Sequence, residues 1–112
     1  MQRVEAIIRP ERRQVVKAAL EELDHGGMTL TEVRGHGVQR GVTEQWRGRE
    51  LTIEYITKVK IDLVVKDDDV QPIIDRIVEA ARTGEVGDGK IFVSPVTRAV
   101  RIRTGELDAE AI

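Results

Sequence analysis

Two successive strand–helix–strand patterns within 112 residues predict an α+β fold. The expected architecture is the ferredoxin-like split βαβ sandwich: a four-stranded antiparallel sheet, two helices on one of its faces, and a long protruding loop between the two halves. A chain of this length makes a single domain, 1–112, with a small core.

The first half opens with "RVEAIIRP", in which Val4, Ala6 and Ile8 alternate with polar residues and Pro10 stops the strand. "ERRQVVKAALEEL" then sets Val15, Val16, Ala19, Leu20 and Leu23 on one helical stripe. Gly26 and Gly27 follow as a C-terminal cap, with His25 beside them as a helix-end cation, and "MTLTEVRG" returns as a strand. In the second half, "KVKIDLVV" alternates Val59, Ile61, Leu63 and Val65. The acids of "DDD" suit an N-cap and an acidic first turn. Val70, Ile73, Ile74, Ile77, Val78 and Ala81 keep helical spacing, Pro72 falls in the first turn where its missing N–H costs little, and "KIFVSPV" closes the sheet. The sheet face turned away from the helices is expected to be apolar and therefore covered by a partner, which predicts a homo-oligomer.

Charged residues make up 34% of the chain and only three side chains are aromatic, a balance of aliphatic core and solvated surface compatible with a heat- or salt-adapted source. The net charge of −2 gives no global basic field for nucleic acid or a membrane surface. Without cysteine there is no disulfide, no thiolate metal site and no cysteine nucleophile. No run is long and apolar enough to span a bilayer, and "MQRVEAII" already reads as a strand rather than a leader, so a cytoplasmic protein is expected.

Two segments lie outside the repeated pattern. Residues 36–55, "HGVQRGVTEQWRGRELTIEY", carry three glycines and the single Trp among charges, and a connection of that length is usually functional. Its second half alternates Leu51, Ile53 and Tyr55, as a ribbon leading into the next strand would. "TGEVGDGKIFVSP", residues 83–95, spaces Gly84, Gly89 and Lys90 as G-x-x-x-x-G-K, nearly the phosphate-cradling signature. The hydroxyl that should follow the lysine is Ile91, and a strand rather than a helix follows, so this is not a nucleotidase loop. Three glycines and a lysine still suit close backbone approach to an anion, and an ordinary glycine-rich turn fits equally. Near the end, "AVRIR" alternates Val100 and Ile102 inward as a strand would, placing Arg101 and Arg103 on one face, as either a solvated edge strand or a charge-assisted clamp has them.

Over its whole length the chain resembles the PII signal-transduction (nitrogen regulatory) family, through "AIIRP", "GMTLTEVRGHG", "TEQWRGRE", "KVKIDLVV", "ARTGEVGDGKIFV" and "RIRTGE" in that order. The resemblance implies a homotrimer with ATP or ADP in each cleft between neighbours and 2-oxoglutarate sensed together with Mg²⁺ and ATP. A mobile loop over about 37–55 would dock on target proteins, with a nucleotide-binding loop over about 82–90 and a C-terminal segment over 98–112. Carried over position by position, the nucleotide set is Thr29, Gly37, Asp62, Val64, Gly87, Asp88, Gly89 and Lys90, with Arg101 and Arg103 reaching the phosphates from the neighbouring subunit. Asp62 stands where the family commonly has a glutamate. The 2-oxoglutarate set is Gln39, Lys58, Gly41 and Gly87, with Gln39 also on Mg²⁺, whose mixed oxygen shell suits that hard cation.

The departures bear on regulation. Val38 replaces an arginine that often reaches the nucleotide phosphates, Leu51 replaces the uridylylated tyrosine, and Arg49 replaces the serine phosphorylated in another branch. No covalent modification is therefore expected at these positions. His36 reads as a packed or exposed histidine rather than a metal ligand, and Arg47 at the loop tip as a partner-anchoring residue. The expected function is a non-enzymatic sensor of nitrogen, carbon and energy status. Its protein targets would be an ammonium transporter or a nitrogen-metabolism enzyme, so that any membrane association is indirect. The alternative is a weak ATPase using Lys90. An RNA-binding sheet would need stacking aromatics and basic charge that one Phe, one Trp and one Tyr do not supply.

Overall fold

Alternation along β1 (Gln2–Ile8) buries Val4, Ala6 and Ile8 on one side, and along β5 (Ile56–Val65) it buries Val59, Ile61, Leu63 and Val65 on the same side. The computed structural model that shows this describes residues 1–36, 43–46, 49–52 and 56–112. β1 and β5 pair antiparallel at the centre of a four-stranded sheet of order β2-β5-β1-β6, with β2 (Thr29–Gly35) and β6 (Gly89–Pro95) at the edges. Two helices, α1 (Arg13–Glu21) and α2 (Val70–Ala81), cover the apolar face with Val16, Leu20, Ile73, Ile77 and Ala81. This is the ferredoxin-like arrangement expected from the sequence.

A separate two-stranded ribbon joins β3 (Thr43–Trp46) to β4 (Arg49–Thr52) inside the long connection. Leu51 thus pairs within the ribbon, opposite Glu44, rather than only leading into β5. Ile53 and Tyr55 lie outside the described residues.

Several local expectations are corrected. Pro10–Arg12 form a 3₁₀ turn before α1, and Val15 is 47% exposed, because it sits roughly 100° around the helix from Val16. Gly26 and Gly27 do not cap α1, which ends at Glu21; they turn the chain toward β2. His25 does not sit at the helix end either: it lies four residues past Glu21, where its Nδ1 accepts the Gly27 N–H at 3.1 Å. The acids of "DDD" form a 3₁₀ turn, Asp67–Asp69, and make no side-chain cap on α2; Asp67 instead accepts the Met1 ammonium at 2.9 Å.

The helix-free sheet face is not apolar. Lys60 pairs with Glu5 at 3.4 Å and Arg3 with Asp62 at 3.3 Å, in rows that also carry Ile7 and Phe92. Alternation sends Val4, Ala6, Ile8, Val59, Ile61, Leu63 and Val65 to the helices and leaves the charges, with Ile7, Ile56 and Val64, for the other side. "AVRIR" does not form a strand. Ile102 is 100% exposed, and Val100 pairs with Leu107 in an isolated bridge. The Gly105 N–H donates to the Arg101 carbonyl at 2.8 Å, and Gly105 has φ 74, so "TGE" folds the segment back on itself before a strand can extend.

Candidate functional site

The connection from α2 to β6 is organised around one carboxylate. Asp88 Oδ2 accepts the N–H groups of Thr83 and Gly84 at 2.9 Å each, while Oδ1 accepts the Thr83 hydroxyl and, at 3.0 Å, Arg9 Nε. Arg9 also donates from Nη2 to the Val86 carbonyl at 2.8 Å, and Arg12 from Nη2 to the Arg82 carbonyl at 3.3 Å. Arg9, just before the Pro10–Arg12 turn, and Arg12 at its end, 70 or more residues away in sequence, thereby grip both the middle and the start of this loop. Gly84, Gly87 and Gly89 all have positive φ, which lets so short a segment curl around a single side chain.

The hydroxyl and amide donors, with the guanidinium of Arg9, hold the Asp88 carboxyl well below the usual carboxylate range. A group depressed in this way stabilises the loop at any pH above about 4 and loses its contribution only as the pH falls through its own lower pKa. The Thr83 amide resonance is therefore expected to stay constant from neutral pH down to about 4 and to shift only in stronger acid. A midpoint in the ordinary aspartate range, about 3.9, would overturn the assignment.

Lys58 projects from β5 toward the same loop and donates to the Gly87 carbonyl. Burial, and then the nearby Arg9 charge, push the Lys58 pKa down. Lys58, Gly87, Asp88, Gly89 and Lys90 line a cavity of about 550 Å³, together with Ile7, Gly35, Phe92 and the exposed His36. A second cavity of about 650 Å³ gathers Thr29, Asp62 and Val64 with Arg3, Lys60 and His25. Thr29 and Asp62 stand directly opposite each other in the β2–β5 register. Both cavities open on the helix-free face: Lys90 shares a row with Ile7 and Lys60, and Asp62 lies one row on, which puts Lys90 and Asp62 roughly 12 Å apart.

The expected site residues are thus brought together in two groups. Arg101 and Arg103 line neither cavity; Arg101 is paired with Glu106 at 3.1 Å and Arg103 is exposed. Gly37, Val38, Gln39, Gly41 and Arg47 lie outside the described residues. Asp88 was legible as a loop residue, but not as the loop's organiser. Thr83 and Gly84 are near neighbours, but its remaining partner, Arg9, is 79 positions away, and no local spacing announces that contact.

No helix among the described residues is long and apolar enough to cross a membrane. The family model for "Nitrogen regulatory protein P-II" matches residues 1–106. The chain belongs to the nitrogen regulatory protein P-II family. Relatives bearing that name include one from Synechocystis, 56% identical, and one from Microchaete diplosiphon, 54% identical, each over 112 residues and the full length of both chains. "Nitrogen regulatory protein P-II 2" of Methanothermobacter thermautotrophicus is 52% identical over 112 residues, covering all of this chain and 97% of its own. P-II membership accounts for the sheet order and makes the role regulatory.

Proposed function

We propose that this P-II protein is a cytoplasmic homotrimer that binds ATP or ADP, and 2-oxoglutarate with Mg²⁺ and ATP, in clefts between neighbouring copies. Residues 37–55 report cleft occupancy to protein targets, such as an ammonium transporter or a nitrogen-metabolism enzyme, with Arg47 as an anchor. The observation that carries this reading is the common sheet face of the two cavities, one with Lys58, Lys90 and a glycine-rich backbone, the other with Thr29 opposite Asp62. The first suits phosphates and a carboxylate, the second a base and a ribose. A neighbouring copy supplies Arg101 and Arg103, which line neither of these two cavities in their own chain. Exposed Phe92, Val93 and Ile102 are the apolar surface that association would cover.

The residues present fit the ligands. Among the described residues no three His, Asp or Glu side chains converge on a metal position, so Mg²⁺ would take its ligands from phosphates, the effector and Gln39. The Lys58 ammonium, resting on the Gly87 carbonyl, is free to exchange that neutral acceptor for a carboxylate, so effector and phosphate loop share one cation. Ligands that use Gln39 and Lys58 draw in the base of the 37–55 segment and shift the population of target-binding forms.

Titration calorimetry beside light scattering tests the reading. Expected are a trimer, heat of binding for ATP and ADP, and 2-oxoglutarate heat only when Mg²⁺ and ATP are present. A stable monomer or an absence of nucleotide heat would sink it, and sustained phosphate release would favour the weak ATPase instead. Leu51 and Arg49 offer no hydroxyl, so intact mass spectrometry of protein from nitrogen-starved and nitrogen-replete cells should show one unmodified species.

A further inference from the structure

The turn that delivers β2 to its place is closed by an imidazole. His25 Nδ1 accepts the Gly27 N–H at 3.1 Å, across Gly26 with φ 72 and Gly27 with φ 142. An accepting Nδ1 puts the ring proton on Nε2, the neutral tautomer. Two residues after Gly27, Thr29 begins β2 opposite Asp62, and between them Met28 packs partly buried against the core. The same imidazole lines the cavity that holds Thr29, Asp62 and Val64. The approach of Thr29 to that cavity is therefore set by a turn whose closing bond needs a deprotonated nitrogen.

We propose that His25 is a positioning residue for the Thr29–Asp62 half-site and makes nucleotide binding there proton-dependent. This rests on reading that cavity as the base and ribose end of a nucleotide site. A proton on Nδ1 converts the acceptor to a donor, leaves the Gly27 N–H without its partner, and frees the two glycines to reorient the start of β2. Charges of both signs line the two cavities that the ring shares. They are Asp24 on its own loop, Lys66 and Asp69 from the β5–α2 connection, Arg3 from β1, and Lys60 and Asp62 from β5, with the Ile112 main chain beside Gly26. No single charge dictates the outcome, so the hydrogen bond itself is the proton-sensitive element.

The discriminating variant is His25→Asn, which carries an oxygen acceptor in place of Nδ1 but cannot ionise. ADP affinity, measured by calorimetry from about pH 8 to about pH 5.5, is expected to fall three- to tenfold further in the wild type than in the variant, roughly one neutral hydrogen bond. The nucleotide's own titration is the same against both proteins and cancels in the ratio. Without nucleotide, the Gly27 amide resonance of the wild type should shift over the same range, an outcome that does not depend on the variant folding. Parallel affinity profiles, or a Gly27 amide indifferent to pH, would overturn the proposal and leave the nucleotide site standing. No ADP binding at any pH would overturn the functional reading and the proposal with it.

Discussion

Replacing Gly89 by alanine is expected to remove about 3–5 kcal/mol of stability. A Cβ at this position would lie 1.7 Å from the Ile7 carbonyl oxygen and 2.8 Å from its carbon, both backbone atoms that cannot rotate away. Gly89 pairs with Ile8 in the β1–β6 ladder, so relief of the clash must separate the two strands where the 82–89 loop joins the sheet. Its φ of 107 adds conformational strain for any residue with a Cβ. Gly84→Ala is the control. At φ 90 it pays the conformational term alone, about 1–2 kcal/mol, because nothing lies within 4 Å of its Cβ position. Urea unfolding of the two variants should separate them clearly, and equal costs would mean that β6 does not hold this register against β1.

Nucleotide affinity should collapse in Arg103→Ala while the fold survives. Arg103 is exposed and makes no ion pair within its own chain among the described residues, so its removal leaves nothing buried unpaired. On the proposed assembly it meets phosphates across the subunit boundary, and loss of one charge-assisted bond costs roughly 1.5–3 kcal/mol, about ten- to a hundredfold in Kd for ATP and ADP alike. Gln39→Ala should behave differently, sparing ADP and abolishing Mg²⁺-dependent 2-oxoglutarate binding. Calorimetry showing wild-type ADP affinity in Arg103→Ala rejects the shared cleft, and 2-oxoglutarate binding that persists in Gln39→Ala rejects the metal assignment.

What could be read from the sequence was governed by how local the determining physics is. The stripe Val70, Ile73, Ile74, Ile77, Val78 and Ala81 and the alternation of Val59, Ile61, Leu63 and Val65 mark their own apolar faces, and the structure fully buries Ile73, Ile77 and Ala81 of the first and all four of the second. "AVRIR" has the same alternation but no strand beside it among the described residues, and the turn at Gly105 outweighs it. The polar character of the second sheet face was already present in Arg3, Glu5, Lys60 and Asp62, and treating that face as apolar overlooked the parity of the strands. In the candidate site, glycine spacing marked the loop and the register joined Thr29 to Asp62. The grip of Arg9 on Asp88 and the closure of the Gly26–Gly27 turn by His25 are tertiary or backbone-specific contacts that residue spacing does not encode.

The Arg9–Asp88 grip also has a consequence for speed. A glycine-rich segment would ordinarily wander among many backbone states and have to be caught in a receptive one. Here the carboxylate of Asp88 and the guanidinium of Arg9, whose side chain is only 14% exposed, hold the curl through bonds within the chain. An arriving phosphate would meet a finished surface, so capture should approach the rate at which molecules collide, with little conformational search to slow it. Residence time then separates one ligand from another. Such a receptor would track the ratio of competing nucleotides as fast as each one leaves.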